Sequence, residues 1–172
     1  MKIFVTFIAL WIGLILQSTV FQIPPYNAIQ PDFVLVGLVL VALMRGTKPA
    51  LFLGLLLGLI QDVVFGSFIG LNAFALAVIA YFAAAAFAQF MHKNITITFL
   101  VTLCCSFIDV WLTFGFTRMF GVTAYSWIAV VYQSLEQMLI NGILVLLLYP
   151  IAIKFLAISA DNHYGKVPDG EG

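Results

Sequence analysis

Three acids stand inside long apolar runs of this chain: Asp62, Asp109 and Glu136. Uncharged polar residues fall beside them in the same kind of surroundings, Gln17, Asn72 and Gln133 among them. Carboxyls so placed could hold a cation or a small polar ligand, pass a proton, or bond one helix to another. On insertion scales an acid within a membrane span costs about 2.5–3.5 kcal/mol, so each should face a packed interior or a water-filled cavity. A proton relay is disfavoured, because no histidine or lysine accompanies these acids. Other chemistry is not spelled out: there is no Ser-His-Asp arrangement, no glycine loop for phosphate and no metal-ligand spacing. Cys104 and Cys105 adjoin each other in an apolar run and read as small buried residues rather than a disulfide or a metal site. His92, in a basic loop, and His163, in the tail, read as solvated. The expectation is a protein that is not an enzyme and uses no cofactor and no metal.

The elements that must position these residues follow from composition. Of 172 residues, 64% are hydrophobic and 8% charged, against about 25% charged in an average soluble chain. A soluble enzyme surface and a disordered chain are both excluded. Seven basic residues balance seven acidic ones, which leaves no electrostatic case for nucleic acid. What remains is a chain dissolved in a bilayer, with membrane lipid as its surroundings. A spanning helix needs about 20 mostly apolar residues. Merging the uncharged stretches across single acids predicts six spans, 3–22, 31–44, 49–65, 71–91, 95–117 and 126–153. The second and third are short, and two short spans joined by a basic loop at the membrane surface is the cheaper arrangement. Turn-forming residues occupy the breaks, at 24–27, 45–49, 66–70, 92–94 and 118–125. Loops this short leave no room for a separate catalytic domain. Pro150 should end or kink the last helix. The fold class is thus all-α and polytopic, one six-helix domain over 1–160 with a polar tail over 161–172. The first span could imitate a secretory signal, but Gln17-Ser18-Thr19-Val20-Phe21 is a poor cleavage site, so it reads as retained.

Sidedness comes from the bases. With the N-terminus inside, Lys2, Arg45, Lys48, Lys93, Lys154 and Lys166 are all cytoplasmic, and Arg118 alone lies outside. Both termini are then cytoplasmic. On this topology Asp62, Asp109 and Glu136 all fall in the outer half of the bundle, with Gln17, Asn72 and Gln133 at similar depth. Asp32 follows Pro31 at the outer start of helix two, where an acid suits a helix N-terminus. Two readings stay open for this outer polar set. It forms a pocket for a ligand, an ion or a partner's side chain, or it forms a hydrogen-bonded knot that fixes helix packing.

Small residues point to close helix approach. Gly54 and Gly58 make a GxxxG, and Ala73, Ala77, Ala80, Ala84 and Ala88 form a stripe on helix four. Packing within the fold is favoured for both. For Ala9 and Gly13 on helix one, a partner interface and an internal one are evenly matched.

Several of these residues recur in an ordered set. Leu16-Gln17-Ser18-Thr19, Pro31-Asp32, Arg45-Gly46, Gly54-x3-Gly58-x3-Asp62 and Gly66-x3-Gly70-Leu71-Asn72 together resemble the MreD family of rod shape-determining membrane proteins. The likeness is good over about 10–90 and rests on hydropathy and spacing beyond. It implies a non-enzymatic component of the bacterial inner (cytoplasmic) membrane that supports lateral peptidoglycan synthesis and cell shape. It also implies binding to the bitopic protein MreC. Larger-complex partners would be MreB, a SEDS-type glycosyltransferase and a class B penicillin-binding protein. Members of that family resemble the six-helix S components of ECF transporters, so vitamin capture in the outer polar set is the alternative.

Overall fold

Thirteen consecutive residues from Phe33 to Arg45 contain no charge before the last and no polar side chain at all ahead of it. A helix apolar on every side must be surrounded on every side by apolar partners, in protein or in lipid. In this computed structural model, which describes residues 2–19, 31–65, 69–90, 94–121 and 125–157, protein is what surrounds it. Six helices run in chain order: α1 Lys2–Thr19, α2 Phe33–Arg45, α3 Thr47–Phe65, α4 Leu71–Phe90, α5 Ile95–Met119 and α6 Trp127–Ala157. Among the described residues there is no strand. α2 packs against all five of the others and is buried along almost its whole length, with Val34, Leu35, Val36, Leu38 and Val39 fully inaccessible. At 1.5 Å per residue it is only about 20 Å long, a short central post inside longer helices.

The chain is an all-α polytopic membrane protein. α3, α4, α5 and α6 are long and apolar enough to cross a bilayer, while the apolar parts of α1 and α2 are shorter. Each predicted span corresponds to one helix. The third is longer than expected, because the predicted break at 45–49 shrinks to one residue. Gly46 alone separates α2 from α3, at φ +79°, a left-handed conformation that glycine takes without strain. Its N–H caps α2 on the Ala42 carbonyl at 3.0 Å, and Pro49 falls within the first turn of α3, where its missing N–H costs nothing. Pro150 does not end the last helix: α6 continues through it to Ala157. Of the turns placed at 24–27, 66–70, 92–94 and 118–125, residues 24–27, 66–68 (with Gly66), 92–93 (His92 and Lys93) and 122–124 lie outside the described residues, as does the tail from Asp161 with His163 and Lys166.

α3 and α4 make the tightest pair, as their small residues predicted. A Cβ added at Gly58 would collide with the Cα of Ala73, and one at Gly54 would lie 2.9 Å from the carbonyl oxygen of Leu76. The two backbones therefore touch, and only glycine permits it. Of the α4 stripe, Ala73, Ala80 and Ala84 are buried, Ala77 is half-buried and Ala88 is exposed, so the stripe is shorter than the alanine spacing suggested.

Candidate functional site

The described acids divide between three environments. Asp62 lies in the last turn of α3 and is 2% exposed. Its Oδ2 accepts the backbone N–H groups of Gly70 at 2.8 Å and Ala73 at 3.0 Å, and its Oδ1 accepts that of Asn72 at 2.9 Å. The first N–H groups of a helix have no partner within it, and they carry the positive end of its dipole. One carboxylate thus caps α4 from the end of the preceding helix. Gly70 makes the turn at φ +104°, which explains why a glycine stands there. Asn72 takes part through its backbone. The Gly-x3-Asp and Gly-Leu-Asn motifs are accordingly one device that closes α3 onto α4.

A second network joins α1, α2, α5 and α6. Asp32 is the N-cap of α2, accepting the Leu35 N–H on its side chain at 2.9 Å, and Pro31 sits buried just before the cap rather than in the first turn. The Gln17 side chain of α1 is within hydrogen-bonding reach of the same carboxyl. The Asp32 N–H donates to Asn141 Oδ1 at 2.9 Å, and Asn141 Nδ2 donates to Ser106 Oγ at 3.0 Å. Ser106 passes its own hydrogen to the Thr102 carbonyl at 2.9 Å, and Thr102 passes its to Thr98 at 2.8 Å, a ladder along α5. Asn141, Ser106, Thr102 and Thr98 are all fully or almost fully buried. Asp109, one turn on from Ser106, is near enough to Asp32 for the two carboxyls to interact electrostatically. Two buried polar atoms in the bundle, Gln17 Oε1 and Trp111 Nε1, have no hydrogen-bond partner among the described residues.

Of the predicted outer set, then, Gln17 and Asp109 gather at Asp32. Asp62 and the Asn72 backbone form the separate α3–α4 cap. Gln133 and Glu136 join neither, being exposed on α6. The six residues do not converge on one chamber, because each helix rotates its polar position to a different neighbour. Sequence reading missed Asn141 and Ser106, which do most of the bonding. An amide within the apolar run before Gly142 was the available signal.

Two grooves open on the surface, both lined mainly by apolar side chains. One of about 410 Å³ runs beside Trp127, Ile128, Val131, Tyr132 and Leu135, and one of about 300 Å³ lies between the start of α4 and the end of α5. At the end of α5 the Arg118 guanidinium sits over the rings of Trp127, at 4.8 Å, and Phe114, at 5.7 Å. With exposed Tyr125 and Trp127 this makes the cationic and aromatic rim expected of a membrane–water interface. Among the described residues no cluster of His, Cys, Asp and Glu could hold a metal, and Cys104 is exposed rather than buried, its side chain pointing away from the packed interior.

Compared with known proteins, residues 1–158 match the family model for the rod shape-determining protein MreD. No curated protein and no solved structure matches the chain.

Proposed function

The chain belongs to the MreD family of rod shape-determining membrane proteins, and from that premise we propose that it acts as a non-enzymatic scaffold of the wall-elongation machinery. It sits in the bacterial inner membrane with both termini cytoplasmic and binds MreC. Through MreC it joins MreB, a SEDS-type glycosyltransferase and a class B penicillin-binding protein in supporting lateral peptidoglycan synthesis. The observation that carries this reading is the use to which the motif residues are put. Asp62, Gly70, Gly54 and Gly58 hold α3 to α4, and Asp32 caps α2 and bonds α6 through Asn141, so the motif builds a packed membrane body. A body of that kind serves by presenting surfaces to other proteins. Depletion in a rod-shaped host tests the proposal: cells should round up and MreC should lose its localisation along the lateral wall. Retained rod shape with normally placed MreC overturns it. The orientation is checked separately by cysteine labelling, with a cysteine beside Lys48 reactive only from the cytoplasmic side.

A further inference from the structure

Among the described residues, Asp32, Asp62 and Asp109 are buried wholly or in part, and Glu136 is the one exposed acid. It stands on α6 nine residues from Trp127, about 13 Å along the axis, with Lys154 about 27 Å further on. The aromatic and cationic rim at Trp127 and Arg118 marks one membrane surface, and Lys154 approaches the other. Glu136 is therefore well inside a hydrocarbon layer about 30 Å thick. Its neighbours on the helix surface are Tyr132 four residues before and Leu139 three after, 70% and 68% exposed. Ile128 and Ile143 extend the same stripe, and Gln133 lies beside it, also exposed. α6 packs chiefly on α5 and α2 and shows this stripe to the outside. Other outward faces, such as Phe4 and Trp11 on α1 or Phe82 on α4, present apolar side chains that lipid satisfies. A carboxyl facing lipid is not satisfied, and residues of this kind ordinarily find a polar partner.

Charge decides which partner. Copies of one membrane protein share an orientation, so a closed pair is related by a two-fold axis along the membrane normal. Residues on the facing stripe would then meet their own copies at the same depth. That places Glu136 against Glu136, two like groups in a medium that screens poorly, and the stripe has no cation to offset them. A different helix, bringing a guanidinium, ammonium or amide donor to that level, complements the site. Beside it, the groove walled by Trp127, Ile128 and Tyr132 accepts a bulky apolar side chain from the same helix, nearer the membrane surface.

We propose that the outward stripe of α6 is the docking face for the transmembrane helix of a single-span partner, with a donor side chain in its outer half bonded to Glu136. The inference rests on the scaffold reading above, in which that partner is MreC. The test uses the full chain in a rod-shaped host. A photo-crosslinking residue is placed in turn at Tyr132, Leu139 and Ile143, with Phe82 and Trp11 as comparison positions. MreC should be captured from the three α6 positions and not from the other two. At equal membrane abundance, Glu136→Leu should lower co-purified MreC by at least about tenfold, the loss of one buried hydrogen bond to a charged group. Glu136→Gln, which keeps an acceptor, should retain most of it. Capture from α1 or α4 instead, cross-links between two copies through α6, or normal recovery with Glu136→Leu each overturns the proposal. If the wild-type chain itself recovers no MreC, the scaffold reading falls and this inference with it. If the wild type recovers MreC and the α6 variants do too, only the α6 assignment falls.

Discussion

The α3–α4 pair and the meeting point of α2, α5 and α6 solve the same problem by opposite means. Apolar helices in lipid gain nothing from hiding apolar surface, so adhesion must come from close packing and from hydrogen bonds. At α3–α4 the backbones themselves touch at Gly54 and Gly58, and Asp62 locks the turn by taking the N–H groups of Gly70, Asn72 and Ala73 at the start of α4. At α2–α5–α6 side chains make the link, the Asn141 amide accepting the Asp32 backbone N–H and donating to the Ser106 hydroxyl. The glycines report the difference. A Cβ at Gly58 meets backbone, whereas one at Gly142 of α6 meets the ring edge of Phe99 at 2.8 Å, an atom that can swing aside. One junction is closed to change, and the other should yield.

Substitutions at four positions put that contrast under strain, and Gly58→Leu should act most severely. No rotamer relieves a Cβ held against the Ala73 backbone, so little folded protein should reach the membrane. Even Gly58→Ala should cost about 3 kcal/mol, at the upper end for overpacking. Unchanged thermal unfolding of Gly58→Ala in detergent would show that the backbones can part. Next comes Asp62→Ala, which leaves three N–H groups without their acceptor and should cost on the order of 3 kcal/mol. Asp62→Asn should cost less, since its amide oxygen still accepts. Hydrogen exchange at Gly70, Asn72 and Ala73 is the direct readout, and unaltered protection there would remove the cap from the account.

At the side-chain junction, Asn141→Leu strands the Asp32 N–H and the Ser106 hydroxyl's acceptor lone pairs together. We expect about 2 kcal/mol of destabilisation, seen as a lower denaturation midpoint. A midpoint equal to wild type would mean that the bridge contributes nothing net. The smallest effect belongs to Gly142→Ala, under about 1 kcal/mol, because Phe99 can move. A loss as large as that of Gly58→Ala would erase the distinction between the two junctions.

Much of this is legible in the sequence alone. The small residues of α3 and α4 announced a close pair, and Pro31-Asp32 announced a helix start. The Asp62 motif was visible as a motif, but its purpose was not. The acid and the N–H groups it serves are eight to eleven residues apart, on two helices joined through a turn, and no local rule connects them. Asn141 was passed over because an uncharged amide barely disturbs an apolar run, although buried among helices it becomes a bridge.

By itself the sequence determined the solvent, the number of helices and their approximate ends. Those depend on how many apolar residues run together and where the charges interrupt, which is a one-dimensional property. Only the tertiary structure decided which faces look inward. In water, a helix advertises its buried side by an apolar stripe, but in lipid both sides are apolar and the stripe disappears. α2 is apolar up to Arg45 and α6 is apolar over most of its length, yet α2 is the enclosed centre and α6 stands at the edge with Glu136 turned outward. Whether a polar residue on such a helix meets a cap, a bridge or an open face depends on its neighbours, and neighbours are assigned in three dimensions.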